Sequence, residues 1–361
     1  MNEKINKLEE IVNILTNKES NVYFFTLDTK NSPSGEVKYT YDLALSLFEM
    51  GYNVTMLHQE DEFVGANEWL GDRYDVLVHK NVKEENITIT PSDFLFIPEV
   101  LVNVMTQTKT LPCKRIMIYY NPSYFMDYMP VGMTLSDLNI YDVITTNENL
   151  QEKIKSYFPN INVQIVRPVI QEFFENDDAP KKLIVNVITS NSNEVNDIIK
   201  PFYWKNPIYK WLSFRDLKGA PQRVLGDMMK EAAITVCVDD NTNNAQMALE
   251  ALKSGSILIA KVPQTTPEWM MDEDDWRFGI IWVDSYEMLH NTIASVVRGW
   301  TRNNILDQYL NMSDVVKNVF TKSTQVADIE KSIVKGVFDA TLNTYKQILS
   351  AEKNNELKIE E

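Results

Sequence analysis

The chain has 361 residues, long enough for two domains of ordinary size, and its 44% hydrophobic and 24% charged residues are those of a soluble globular protein. A formal net charge of −16 excludes coating of nucleic acid through bulk electrostatics, though not a local basic cleft. No apolar run approaches the ~20 residues of a membrane span, and the scattered His58, His79 and His290 argue against a metal cluster.

The opening MNEKINKLEEIVNIL is charged and amphipathic, which predicts a helix within residues 1–20 and no secretory signal. VYFFTL (22–27) reads as a buried strand. A Ser-Pro-Ser-Gly turn then enters a helix from Glu36 to Met50, with Val37, Tyr41, Ala44, Leu45 and Phe48 on one face and Gly51 as its stop. NVTML (53–57), YDVLVH (74–79), FLFIPE (94–99), RIMIYY (115–120), YDVITT (141–146) and VQIVRPV (163–169) read as further strands. The acidic, proline-ended stretch ENDDAPKK (175–182) reads as a linker.

The alternation restarts with LIVNVIT (183–189), YKWLSFRDL (209–217), AITVCVDD (233–240), SILIAKV (256–262) and GIIWVD (279–284). An amphipathic helix near 324–349 and a polar, frayed tail close the chain. Strands alternating with helices in two series predict an α/β fold of two similar halves, each a parallel sheet wrapped by helices. Cys113 and Cys237 lie far apart in apolar runs and are expected as buried free thiols of a cytoplasmic protein.

Glycine lets a backbone approach a ligand without a Cβ in the way, and the helix start behind it offers free N–H groups. Ser34 and Gly35 are therefore candidates for a ligand-facing loop, although single glycines also turn such corners for geometry alone. The turn carries neither the three-glycine dinucleotide fingerprint nor a Gly-Lys-Ser/Thr phosphate loop.

The stretch 238–269 is the second candidate. A strand ends in Asp239 and Asp240, a polar loop follows, and the next helix carries Glu250. Ligands of open α/β sheets bind at the carboxyl ends of strands, where this loop lies. The N–H groups of Asn243, Asn244 and Ala245 cap the helix and suit a diphosphate, and Glu250 suits ribose hydroxyls. An exposed helix glutamate is the plain alternative.

Residues 200–230 carry Lys200, Lys205, Lys210, Arg215, Lys218, Arg223 and Lys230 against Asp216 and Asp227, either a local basic cleft or solvated charge. The acidic run from Asp272 to Asp275 reads as a solvated loop, and Asp240 is the better site candidate. Tyr119, Tyr120, Tyr124, Phe125 and Tyr128 offer an acceptor-binding rim or, equally, packing.

In order and spacing these segments resemble the two-Rossmann-domain (GT-B) glycosyltransferases, especially the retaining group related to glycogen and sucrose synthases. GEVKYTYDLALSLFEMGYNV (35–54) is similar to the family's first glycine loop and helix. VITTNENLQEKIKSYFPNINVQIVRPVIQEFF (143–174) is similar to the end of its first domain, and TNNAQMALEALKSGSILI (242–259) to its Glu-x7-Glu segment. Residues 198–219 look like a subset from phages and bacteria, and 279–289 echo phage enzymes that add glucose to modified DNA bases. The resemblance spans about residues 20–300.

It implies two Rossmann-like domains facing across a cleft, 21–174 on the acceptor side and 183–322 binding the nucleotide-sugar. Residues 175–182 then link them, a helix over 323–350 packs back towards the first domain, and 351–361 form a disordered acidic tail. It also implies transfer of a sugar from a nucleotide-diphosphate sugar, with retention and without metal or cofactor. The acceptor is a polysaccharide, a glycolipid or modified DNA, and the oligomeric state is not legible.

Glu250 matches the second glutamate of the family pair, while the first is replaced by Thr242 and the glycines after it by Asn243 and Ala245. The segment 188–200, where the family often places a diphosphate-gripping arginine and lysine, has only Lys200. Lys205, Arg215 and Lys218 then stand in for that pair, with Asp240 as a catalytic carboxylate. Ser34, Gly35, Asn243, Asn244, Ala245 and Glu250 fall on the donor side. Asn121 stands where an acceptor-side histidine is common, with Tyr124 beside it. The departures keep a catalytically silent GT-B scaffold open as a rival; an NAD-dependent oxidoreductase would lack its fingerprint.

Overall fold

The computed structural model describes residues 2–177, 180–189, 192–238, 245–262, 266, 268–271, 279–303 and 316–360. After helix α1 (Asn2–Thr16), β1 (Asn21–Phe25), β2 (Asn53–His58), β3 (Val78–Asn81), β4 (Phe94–Pro98), β5 (Lys114–Ile118), β6 (Asp142–Thr145) and β7 (Asn162–Ile165) follow. They form one parallel sheet in the order β3-β2-β1-β4-β5-β6-β7. Its crossovers include α2 (Gly35–Glu49), α3 (Asn67–Leu70), α4 (Val102–Gln107), α5 (Pro122–Tyr128) and α6 (Glu148–Tyr157).

The second sheet holds β8 (Lys182–Ile188), β9 (Ser213–Asp216), β10 (Ala232–Cys237), β11 (Ile257–Ala260) and β12 (Ile280–Trp282), parallel in the order β12-β11-β10-β8-β9. Around it lie α7 (Ser192–Lys205), α8 (Gln222–Glu231), α9 (Ala245–Lys253), α10 (Glu268–Met271) and α11 (Tyr286–Asn303). Helices cover both faces of each sheet, so β4 and β11 are buried along their whole length and read as unbroken apolar runs.

Strand order reverses between β1 and β4 in the first lobe and between β8 and β10 in the second. Such switch points open crevices outside the carboxyl ends of the strands. They place the segments after β1, β4 and β10 where ligands of this architecture bind.

The chain then returns to the first lobe. The helix Lys322–Ile329 and the π-helix Glu330–Asp339 set Ile329, Ile333, Val334, Val337 and Phe338 into the core around Phe24 and Phe96. Arg167 and Asp328 fix this crossing with two parallel N–H···O bonds of 2.7 and 2.8 Å.

Several expectations need correction. The segment expected as one helix over 324–349 is interrupted by the π-helix, where Ser332 Oγ donates to Ile165 O and Gly336 lies against Gln164 of β7. The residues expected as a disordered tail continue the helix Ala340–Glu360. That helix packs along α1, tied by Lys4–Glu352 and Lys353–Glu9, and its Ala, Glu, Lys and Leu residues favour helix. The strand expected at 74–79 starts at Val78, because Asp72–Tyr74 forms a 3-10 turn that buries Tyr74. Similarly Pro207–Tyr209 is a 3-10 turn and only Ser213–Asp216 is strand. Both cysteines are free, but Cys237 is only partly buried.

Gly226 lets α8 rest on the turn Glu172–Phe174 that leads from the first lobe into the second; an added Cβ would meet Phe173 O and Cδ2 at 2.9 Å. Gly226→Ala is therefore expected to destabilise by ~1–3 kcal/mol, overriding the ~1 kcal/mol that alanine gains in a helix. A urea midpoint equal to or above wild type would refute this.

Candidate functional site

Ser34 caps α2, its Oγ accepting from Val37 N at 3.4 Å, and Gly35 opens the first turn. The next residue, Glu36, accepts from Asn121 Nδ2 at 3.0 Å and from Ser34 Oγ at 3.4 Å. Asn121 caps α5 with its Oδ1, which accepts from Ser123 N and Tyr124 N. Beneath it lies Glu99, at the carboxyl end of β4 and fully buried. Its Oε1 accepts from Asn121 N at 2.6 Å and Tyr120 N at 3.3 Å, while Oε2 has no partner. Burial, then the charge of Glu36, pushes the Glu99 carboxyl up to about 8, and burial also raises that of Glu36.

From the second lobe α9 brings Glu250 and Gln246 to the same place. Tyr120 OH donates to Gln246 Oε1 at 3.2 Å, and Gln246 Nε2 donates to Glu250 Oε1 at 3.1 Å. Glu250 is 1% exposed and its Oε2 is unpartnered. Burial pushes its carboxyl up to about 7, against the pull of the Lys38 charge.

Lys38, on the buried face of α2, donates to Asp42 Oδ2 and Val169 O, both at 3.0 Å. Asp42 also accepts from Arg73 at 2.7 Å and Tyr74 OH at 2.5 Å. Further out, Lys253 Nζ donates to Ile170 O at 2.9 Å and Asn149 Nδ2 to Thr266 O at 3.0 Å. Carboxylates and amides from the two lobes thus meet at the carboxyl edges of the sheets, almost all of them buried, with a lysine behind them.

The structure gathers Ser34, Gly35, Asn121 and Glu250 from the sequence candidates and separates others from them. Tyr124 is exposed on α5, edge-on to Tyr128 at 6.5 Å. Lys205 ends α7, at the amino edge of the second sheet, opposite the crevice. Arg215 turns to the same edge, where its Nη2 meets Glu231 of α8 at 2.8 Å. Neither can grip a diphosphate at the carboxyl edge, because successive helix ends and strand ends alternate between the two edges of a parallel sheet. Lys218 follows β9 at the carboxyl edge. The α9 backbone begins at Ala245, while Asp239, Asp240, Thr242, Asn243, Asn244 and the acidic run 272–275 lie outside the described residues.

Glu36, Glu99, Lys38 and Gln246 were not among the sequence candidates. A charged i,i+4 pair, Lys38 and Asp42, on the helix face that carries Tyr41 and Leu45 was the one signal available.

Compared in sequence, the chain matches no protein-family model and no curated protein. Compared in structure, it is similar to the pneumococcal O-GlcNAc transferase GtfA in complex with UDP and GlcNAc, with 9% identity over 88% of this chain and 99% of that one and a TM-score of 0.61. It is similar to sucrose-phosphate synthase from Thermosynechococcus elongatus, with 10% identity, 89% and 100% coverage and a TM-score of 0.60. An alpha-glucosyltransferase in complex with UDP and a 13-mer DNA aligns over 88% of this chain and 99% of its own, with 9% identity and a TM-score of 0.59. At such identities the likeness concerns the backbone: the chain has the GT-B fold, two Rossmann-like lobes facing across a cleft.

Proposed function

We propose that the chain transfers a sugar from a nucleotide-diphosphate sugar to an acceptor, with retention and without metal or cofactor, in the cytoplasm. The reading rests on the meeting of Gly35, Glu36, Asn121 and Glu250 at the switch points of two facing sheets. The unpartnered Glu250 Oε2 suits ribose hydroxyls, and the amino end of α9 suits the diphosphate through its partial positive charge. Glu36 makes the amino end of α2 a poor phosphate site. Gly35 is therefore assigned to the sugar, whose hydroxyls hydrogen-bond Glu36 and Asn121, with Tyr124 towards the acceptor.

In the transfer the bond between anomeric carbon and diphosphate breaks, and the acceptor oxygen takes its place. The acceptor proton leaves with the diphosphate. The protein's task is to hold the two substrates in line and to stabilise the departing charge. Two structural neighbours hold UDP, one with a sugar and one with DNA, which supports a nucleotide-sugar donor. The acceptor is a polysaccharide, a glycolipid or modified DNA; a DNA acceptor would bind less well as salt rises. Thr242, in place of the family's first glutamate, favours a second reading, a silent GT-B scaffold.

Calorimetric titration of a panel of nucleotides and nucleotide-sugars tests the two. One nucleotide-sugar is expected to bind, and Glu250→Ala to weaken it tenfold or more, about 1.4 kcal/mol. Binding unchanged in the variant would remove Glu250 from the donor site, and no binding by any of the panel would leave the scaffold.

A further inference from the structure

The end of α7 and the turn that leads on to β9, WKNPIYKW (204–211), carry the most exposed aromatic and aliphatic side chains among the described residues of the second lobe. Trp204 is 75% exposed, Ile208 72% and Trp211 55%. They are held out rather than left loose. Tyr209 between them is buried, stacked with Phe202 at 6.3 Å and edge-on to Trp211 at 6.1 Å. Lys200, Lys205 and Lys210 lie one to four residues from the three in sequence, exposed and without an ion pair among the described residues. Three large apolar groups within eight residues exceed the singly scattered exposure normal for a surface.

We propose that this loop docks the protein peripherally on an anionic lipid bilayer, Trp204, Ile208 and Trp211 entering the headgroup region and the three lysines meeting lipid phosphates. Tryptophan with an aliphatic neighbour and a lysine rim is the composition of an interfacial anchor. The charges argue against a second copy of the chain, since a two-fold contact would set each lysine cluster against its own image within a protein of net charge −16. They argue against nucleic acid too, because three lysines neutralise few phosphates and Ile208 offers no face for stacking. No helix among the described residues is long and apolar enough to cross a membrane, so the attachment is one of surface only.

Position adds a consequence. The loop leads into β9 from the amino edge of the second sheet, while Gly35, Asn121 and Glu250 lie at the carboxyl edges. Docking therefore leaves the cleft open to whatever enters it.

Flotation with vesicles of phosphatidylcholine alone, or mixed with phosphatidylglycerol, tests the proposal without any sugar donor, so it stands apart from the catalytic reading. The full chain is expected to float with the mixed vesicles and not with phosphatidylcholine, and to lose partitioning as salt rises. The triple variant Trp204→Ser/Ile208→Ser/Trp211→Ser and the double variant Lys205→Glu/Lys210→Glu should each reduce it by roughly tenfold or more, with circular dichroism unchanged because all five side chains are exposed. Failure of the wild type to float with the mixed vesicles would overturn the proposal, as would undiminished flotation of the triple variant. Sedimentation showing a dimer that the triple variant loses would assign the loop to a second copy instead. Retention on duplex DNA through the same residues would assign it to nucleic acid.

Discussion

Asp42→Ala is expected to cost ~3–5 kcal/mol of folding stability, because it leaves a buried cation without its counter-charge. The Asp42 carboxylate and the Lys38 ammonium are each 2% exposed and 3.0 Å apart. Arg73, the Tyr74 hydroxyl and, at 3.5 Å, the Gln171 amide also donate to Asp42. Without the carboxylate, Lys38 keeps, among the described residues, the Val169 carbonyl and the more distant Glu250, whose own carboxyl burial pushes up to about 7. Arg73 suffers less, since its side chain is 39% exposed and can turn to water.

The double variant Lys38→Met/Asp42→Leu separates the pair from its desolvation. Replacing both charges with apolar groups of similar volume should recover much of the loss, because burying the pair costs nearly as much as its attraction returns. Urea denaturation of the single and double variants measures both. A loss below ~1 kcal/mol for Asp42→Ala would mean that water reaches Lys38 in the folded protein.

Much of the fold was legible because each strand of a doubly covered parallel sheet is an apolar run, and each crossover helix shows its own period. FLFIPE and SILIAKV could hardly read otherwise, and the Ser-Pro-Ser-Gly turn announced the start of α2. The site was legible only where a local signal marked it, as at Gly35 and Glu250. Glu99 and Glu36 lie far apart in sequence, and only the reversal of strand order between β1 and β4 brings their segments together.

Glu99 reads as the polar end of a strand, and Lys38 and Asp42 stand out from an ordinary surface pair only by sharing the helix face of Tyr41 and Leu45. The basic run misled for the opposite reason. Its residues are contiguous in sequence, but the turn at 206–212 sends Lys205 to the edge away from the cleft, and Arg215 reaches back to Glu231. Contiguity in an α/β chain does not mean a shared edge.

The carboxylates of the cleft should make stability fall as pH rises from about 5 to about 8. Glu99 has its carboxyl raised from 4.5 to about 8 and Glu250 from 4.5 to about 7, and Glu36 is raised as well, in each case chiefly by burial. The folded chain therefore holds protons that the unfolded chain has released above its ordinary carboxylate range. The stabilisation is fully present below about pH 4.5 and is lost as pH passes through the folded values. With Glu99 and Glu36 disfavouring each other's charge, the fall attributable to Glu99 is on the order of 2–4 kcal/mol.

Glu99→Gln isolates it from the general repulsion of an acidic chain. The amide oxygen can still accept from Tyr120 N and Asn121 N, and the variant cannot ionise. Urea denaturation at about pH 5 and about pH 8.5 should show the two proteins alike at the lower pH and the variant more stable at the higher. A variant that keeps the wild-type slope would mean that Glu99 releases its proton in the ordinary carboxylate range. Water would then reach its Oε2, and the floor of the cleft would be wet before any ligand arrives.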